Sequence, residues 1–417
     1  MSANTVVDFD ITIIGGGLVG ACCAVLLSAQ PELTDLKIAL LDSNPPAAAP
    51  PDGDVDLRVS AISRASEKIF AAAGAWTLIP AMHRAAYTEM VVWDALGKAE
   101  ESASLHFSAA QTSEPNLGYI IENRRLLWAL YETPHLRNRI AVLRGTLAQL
   151  ELGSNFATIE LADRRRLHTR LVIAADGANS ASRKLAGIET RGWEYQQKAI
   201  VAHVRTAKHH RSTAWQRFLP SGPLAFLPLS DGRSSIVWST TVAQADQLLA
   251  LDADQFSRVL TQASDDVLGT VQLDTERAAF ALRLAHARDY CRERLVLIGD
   301  AAHSIHPLAG QGVNLGFMDG AALTQVLVDA GKGGGRNDFA DRRVLRRYER
   351  WRKSENLLAL AVVDGLSRLF GISSPAASQV RRWGLGLLDR SPAAKRALIS
   401  RALGVAGDPP RVVNSSY

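Results

Sequence analysis

The stretch ITIIGGGLVGACCAVLLSA, residues 11 to 29, decides how the rest of the chain is read. Its nineteen residues carry no charge, enough for a membrane span or the core of a signal segment. Two features argue otherwise. The residues before it, MSANTVVDFD, hold two acids and no Lys or Arg, whereas a signal segment needs a basic leader. Three consecutive glycines also cut the run into a β-branched piece, Ile11 to Ile14, expected as a buried strand, and a helical piece from Leu18. The cut has the spacing Gly15-x-Gly17-x-x-Gly20, a dinucleotide fingerprint placed after a strand and at the start of a helix. Gly15 permits a tight turn, Gly17 lets backbone N–H groups approach a pyrophosphate, and Gly20 lets helix and strand pack closely. The helix N-terminus then offers free N–H groups and a favourable dipole to an anion. The next strand, LKIALLD, ends in Asp42, 22 residues beyond Gly20, where an acid accepts from ribose hydroxyls.

The composition is that of an ordinary globular protein: 417 residues, 47% apolar, 21% charged and 6% aromatic. Two domains are expected at this length. The net charge is +5, but the basic excess gathers in RRVLRRYERWRK, residues 342 to 353, so it is a local patch and no nucleic-acid partner is expected. The three cysteines include an adjacent pair, Cys22 and Cys23, that cannot easily bridge, which points to a reducing compartment, the cytoplasm.

Two further runs end strands in acids. LVIAADGANSASRKLAG (171 to 187) carries Asp176-Gly177, and RLVLIGDAAHSIHPLAG (294 to 310) carries Gly299-Asp300. Each alone reads as a strand-to-turn junction with a capping acid. Together with the fingerprint they resemble the class A flavoprotein aromatic hydroxylases related to p-hydroxybenzoate hydroxylase. That resemblance implies an α/β fold: a Rossmann-type FAD-binding domain, an interleaved, mainly antiparallel-sheet substrate domain and C-terminal helices. It also implies FAD and NAD(P)H as cofactors and O2 as co-substrate. DLRVSAISRASEKIF (56 to 70), YIIENRRLLWAL (119 to 130), WQRFLPSGPLAFLPLSD (215 to 231), HPLAGQGVNLGFMD (306 to 319) and RRYERWRKSE (346 to 355) are similar to the ubiquinone-biosynthesis hydroxylases of proteobacteria. The RVSAIS and RRYER stretches are most similar to members acting at ring carbon 5 of a 2-polyprenylphenol; sisters acting at carbons 1 and 6 share most of the motifs.

The resemblance implies roles residue by residue. Gly15, Gly17, Gly20 and Asp42 hold the ADP part of FAD, and Asp176 lies in the motif shared between FAD and NAD(P)H. Asp300 reaches the ribityl chain, Arg58 the pyrophosphate or flavin face, and Asn123 with Arg124 begins a cofactor-contacting helix. Gly310, Gly312, Val313 and Asn314 lay backbone N–H groups against the flavin pyrimidine, where they stabilise the negative charge of the reduced ring. Pro307 presents its carbonyl to the substrate ring, and His306 beside it shapes the pocket or relays a phenol proton. His303 and His306, three apart beside an acid, lack a third ligand of suitable spacing, so no metal is expected.

The reaction implied is hydroxylation of an electron-rich ring, which requires exclusion of water. Trp215, Phe226, Pro228 and Trp238 are expected on the pocket wall, although sheet-to-helix core explains them equally well. A second GxGxxG after a strand, which a two-dinucleotide-fold dehydrogenase would show, is absent, as is the GWxWxIP signature of flavin halogenases. A flavin-free escort protein of the same fold is the non-enzymatic alternative. The cofactor domain is expected over 1–71, 118–186 and 286–340, the substrate domain over 72–117 and 187–285, and helices over 341–417. Strands are expected at 87–94, 104–107, 200–206, 214–219, 224–229 and 235–240. A polyprenyl substrate implies peripheral contact with the inner membrane or with a biosynthetic protein assembly, through Arg342, Arg343, Arg346, Arg347, Arg350, Arg352 and Lys353. A homo-oligomer is compatible with the sequence.

Overall fold

The computed structural model of the protein describes residues 7–46, 48–50, 53, 55–101, 104–304, 312–332, 338–371 and 375–414. The uncharged opening run folds as the fingerprint requires. Phe9–Ile14 is a strand buried among the parallel strands of a mixed eight-stranded sheet, and Leu18–Ser28 is the helix that follows it. The strand pairs with Ile38–Asp42 on one side and Arg166–Ala174 on the other. Ile140–Arg144 and Leu295–Leu297 extend the sheet outward, all in parallel. Ile14 stands opposite both Leu41 and Ala174, and Ala174 opposite Leu297. Gly15, Asp42, Asp176 and Asp300, far apart in the chain, therefore leave the sheet at one end. In open α/β sheets that carboxyl end is where ligands bind.

A second sheet has the order His303–Ser304, Ala278–Ala287, Thr190–Thr206, Ser234–Thr241, Gly222–Pro228, Thr213–Leu219, Glu89–Asp94, Leu105–Ser108. It is antiparallel except where Thr213–Leu219 runs parallel to Glu89–Asp94. The helices Val242–Ala250 and Ala253–Ala263 cover one face, meeting a core of Ile200, Phe226, Ile236, Trp238 and Phe256. The expected strands are present, several of them longer than the alternation suggested. Two pairings cross the expected domain limits. His303–Ser304 joins the second sheet, and Val59–Ile62, Gly118–Glu122 and Ala85–Tyr87 form one small antiparallel sheet.

Helices dominate after the long Gly312–Gly331, as expected. The 30-residue helix Arg342–Gly371 ties the two large sheets together. Near its start the Tyr348 hydroxyl donates to the Leu297 carbonyl (2.9 Å), and at its end Phe370 stacks on Phe218 with ring centroids 3.9 Å apart.

Candidate active site

The fingerprint glycines have separable causes. Gly15 sits at φ +104°, and a Cβ there would lie 2.4 Å from the Ala175 carbonyl oxygen; a Cβ on Gly20 would lie 1.9 Å from the Gly15 carbonyl oxygen. Both are demanded by the protein's own backbone. A Cβ on Gly17 would meet nothing within 4 Å, so space above it is open. Gly17 is also the N-cap of Leu18–Ser28, makes no side-chain cap and precedes no acid in the first turn, so the helix N-terminus keeps its free donors. Gly16, which the fingerprint leaves unspecified, is needed too: a Cβ there would lie 2.4 Å from the Tyr131 hydroxyl, which donates to the Gly16 carbonyl (3.0 Å). Its signal lay only in the triple glycine.

Asp42 braces this loop. Its carboxylate accepts from Gly16 N–H (2.6 Å) and Asn44 N–H (2.7 Å), so any ribose contact uses the remaining lone pairs. Asp176 is likewise engaged locally, accepting from the Ser180 hydroxyl (2.5 Å) and Ser182 N–H (2.9 Å) at the start of the helix Ala181–Leu185. The residue that carries this loop toward the site is Arg183, buried, donating to the carbonyls of Ala301 (2.7 Å) and Ala178 (2.9 Å).

Asp300 stands in the turn Gly299–Ala301, whose Gly299 needs φ +58°. The residue is solvent-exposed, yet neighbouring protein crowds its carboxylate. That crowding raises its carboxyl above the usual value, against the pull of His303, Arg283 and Arg58. An exposed acid with a perturbed carboxyl at a sheet end is a candidate ligand contact. Arg58 is exposed, with its guanidinium 5.6 Å from the ring centroid of Phe280, which is itself 44% exposed. Asn314 receives Ser63 N–H (3.0 Å) and donates to the Ala61 carbonyl (2.8 Å), pinning the segment after Arg58 to the helix Gly312–Gly331. Asn123 accepts from the Ser60 hydroxyl (2.6 Å) and its N–H donates to the Arg58 carbonyl (2.9 Å). Arg124 pairs with Glu122 (2.6 Å). Gly312 begins its helix and Val313 packs at the core edge. Pro307, His306 and Gly310 lie outside the described residues.

The expected pocket wall is corrected in part. Phe226 and Trp238 fill the core under the two covering helices, Trp238 lying 6.2 Å from Phe256. Pro228, two residues on, shares the strand face of Phe226. Trp215 packs edge-on against Trp93 at 6.3 Å, yet it also lines the small cavity in this sheet, in keeping with its expected place. The run is apolar on both strand faces because the sheet is covered on both sides, so alternation could not assign the face. On the other face Ala214, Gln216, Ala225 and Leu227 meet Ala61, Tyr87 and Met90 around a cavity of about 10 Å³, room for one water or one substituent oxygen. Gln216 is 5% exposed and its Oε1 has no partner. Burial pushes the Tyr87 phenol up to about 12, so it stays protonated as a donor. Sequence reasoning missed both residues, each of which looks like ordinary strand filling. Among the described residues no cluster suits a metal ion.

Open space over Gly17, an uncapped helix N-terminus and an exposed acid with a raised carboxyl, all at one sheet end, fit a dinucleotide cofactor. The comparisons agree. The chain matches the family described as FAD binding domain over residues 142–356. It is 34% identical to the 3-demethoxyubiquinol 3-hydroxylase of Escherichia coli K12, covering 95% of this chain and 98% of that protein. It is 35% identical to the human ubiquinone biosynthesis monooxygenase COQ6, mitochondrial (92% and 90% covered), and 36% to the ubiquinone hydroxylase UbiL of Rhodospirillum rubrum (97% and 92%). The p-nitrophenol 4-monooxygenase PnpA of Pseudomonas putida DLL-E4 shares the fold, with TM-score 0.75 at 18% identity over 95% of this chain and 98% of that one. A dinucleotide site on this fold, with relatives of this likeness over nearly its whole length, leaves one conclusion: the chain belongs to the FAD-dependent aromatic hydroxylases, in the group of the ubiquinone-biosynthesis monooxygenases.

Proposed function

We propose that the protein hydroxylates the ring of a polyprenylphenol intermediate of ubiquinone biosynthesis at ring carbon 5, with NAD(P)H as reductant and O2 as oxidant. The observation that carries the substrate class is the Tyr87–Gln216 cavity: two uncharged polar groups in an apolar wall, with no cation to meet a carboxylate. Such a lining suits a neutral phenol better than an aromatic acid, whose charge would be stranded. Bound FAD supplies the redox chemistry and the activation of oxygen. The chain's own part is to bind and to shield. Gly17 and the helix N-terminus receive the pyrophosphate and Asp300 the ribityl hydroxyls. Gln216 accepts from a ring hydroxyl that Tyr87 also contacts. The apolar wall of Ala61, Met90, Ala225 and Leu227 excludes water. His306 and Pro307 are assigned to the substrate side of the flavin. Ring position rests on the likeness of the RVSAIS and RRYER stretches; one relative's name specifies a 3-hydroxylase. The test is the quinone-intermediate profile of a deletion strain. An accumulated species lacking the carbon-5 hydroxyl is expected. One lacking a different hydroxyl would overturn the position, and an unchanged profile the pathway.

We also infer peripheral contact with an anionic bilayer. No described helix is long and apolar enough to cross a membrane. The exposed stripe of Arg342–Gly371 begins with Arg342, Arg343, Arg346, Arg347 and Arg350 and continues as Leu357, Leu358, Val362 and Leu369. Trp383, on the following helix Pro375–Asp389, is 71% exposed as well. Basic side chains beside solvent-facing apolar ones suit the headgroup boundary. Arg352 leaves this patch because it is buried, and Lys353 donates to the Arg288 carbonyl. An Arg346→Glu/Arg347→Glu/Arg350→Glu variant should lose salt-sensitive cosedimentation with anionic vesicles; undiminished binding at low salt would exclude the patch.

A further inference from the structure

Behind Asp300 lies a buried polar cluster that the assigned roles do not use. Its centre is Asp319 on the helix Gly312–Gly331, wholly buried. One carboxylate oxygen accepts from Gly299 N–H (3.1 Å) and from His303 Nε2 (2.5 Å). The other accepts from Arg352 Nε (2.8 Å) and Asn356 Nδ2 (3.1 Å), both on Arg342–Gly371. Arg352 Nη2 also donates to Asn356 Oδ1 (2.9 Å), so the two act as one arm. Asn356 Nδ2 reaches the Tyr290 hydroxyl (3.4 Å), which lies 3.0 Å from His286 Nε2. Burial alone would push the Asp319 carboxyl up. The adjacent His303 and Arg352, with their hydrogen bonds, instead hold it down at about 2.

Every lone-pair direction of this carboxylate is thus occupied, and the donors come from two sources. Gly299 and His303 bracket Asp300: one is the residue before it, the other closes the turn and leads into 305–311, where Pro307 and Gly310 lie. Arg352 and Asn356 come from the helix Arg342–Gly371, far along the chain from the turn and at the very end of the family match. A buried carboxylate gripping both ends of a short turn restricts that turn only while its own position is held. The second pair of donors does the holding.

We propose that Arg352 and Asn356 act through Asp319 as positioning residues for the Gly299–Asp300 turn and His303, and so set the affinity for FAD. All three are buried, which leaves the turn as their route to the cofactor. The C-terminal helix is then part of the cofactor site, which explains why a run of arginines otherwise exposed to solvent turns one member inward.

The test is FAD affinity, measured by titrating FAD into the apoprotein and following flavin fluorescence, alongside the apoprotein's melting temperature. Arg352→Met should weaken FAD on the order of tenfold, the scale of one charged hydrogen bond. Arg352→Lys should restore most of that loss. In an Asp319→Asn background the same Arg352→Met change should cost less than about twofold, because its path is already cut. Tyr348→Phe serves as the control. It removes a buried hydrogen bond from the same helix to the Leu297 carbonyl without touching Asp319, and it should leave FAD affinity unchanged. Should Arg352→Met fail to fold, comparing the native protein with Asp319→Asn/Arg352→Met decides, since the double variant buries no unpaired charge. A FAD loss of about tenfold there supports the proposal, and native affinity overturns it. Native affinity in folded Arg352→Met, an undiminished tenfold cost in the Asp319→Asn background, or an equal loss in Tyr348→Phe overturns it.

Discussion

Alanine placed separately at two fingerprint glycines should give opposite outcomes, because the open space at Gly17 and the crowding at Gly20 have different owners. At Gly20 the new Cβ would lie 1.9 Å from the Gly15 carbonyl oxygen, deep inside van der Waals contact. The helix Leu18–Ser28 must then move off its strand. An overpacked core costs about 1–3 kcal/mol or more, and here the obstacle is backbone, which yields least. At Gly17 the Cβ meets nothing, and φ −69° with ψ −174° is ordinary extended backbone for alanine. Replacing an N-cap glycine costs a little, and the less flexible unfolded chain offsets it by about 0.4–1 kcal/mol. The Gly17→Ala apoprotein should therefore melt close to the native temperature. Its methyl group nevertheless occupies the approach to the helix N-terminus. Loss of one or two charge-assisted hydrogen bonds, about 1.5–3 kcal/mol each, weakens FAD by at least tenfold. Thermal melting of the apoproteins and FAD titration of each separate the two effects. If Gly17→Ala bound FAD with native affinity, the pyrophosphate could not lie over residues 15–20 and the reading would be refuted.

Asp300→Asn should weaken FAD, through loss of a charge-assisted acceptor for ribityl hydroxyls, while stabilising the apoprotein at neutral pH. The sign follows from the raised carboxyl: a group whose folded pKa lies above its unfolded one favours folding below the unfolded value, 3.8, and opposes it as pH rises through the folded one. Apoprotein melting curves from pH 4 to 7 check this, and an equal or lower melting temperature for the variant at pH 7 would contradict it. Trp238→Ala should destabilise by about 3–5 kcal/mol, as core truncations of this size do, and any effect on substrate should follow the loss of fold. Gln216→Leu removes an unpartnered buried acceptor, so stability should hold or rise while the Michaelis constant for the phenol increases. Denaturant unfolding with steady-state kinetics distinguishes them, and a stable Trp238→Ala with altered substrate preference would put that residue back on the pocket wall.

Much of the site was legible in the sequence because the features concerned are local demands on the backbone. The strand Phe9–Ile14 and the glycines after it are specified within a dozen residues, since only glycine accepts φ +104° against the Ala175 carbonyl or clears the Gly15 oxygen. The strand-end acids Asp176 and Asp300 were readable for the same reason, and the parallel sheet brings them together at one edge. What those acids do was less legible. Asp42 and Asp176 look alike in sequence to Asp300, yet both are largely occupied by their own loops, whereas Asp300 is free for a ligand. That difference depends on which donors the turn brings within reach, and no spacing rule encodes it.

The tertiary structure decided everything that required knowing what lies across from a residue. Trp238, Phe226 and Gln216 sit in strands covered on both sides, so hydrophobicity alternates too weakly to say which face meets helices and which meets the cavity. Arg352 stands in a run of seven basic residues within 342 to 353 and reads as one more surface charge. Only the packing of its helix beside Gly312–Gly331 places it 2.8 Å from Asp319, 33 residues away in the chain. Local sequence determines backbone conformation because the relevant sterics act within one turn. Partnership across the fold depends on contacts between segments the chain visits separately, and that is where the identity of the groups around Asp300 was settled.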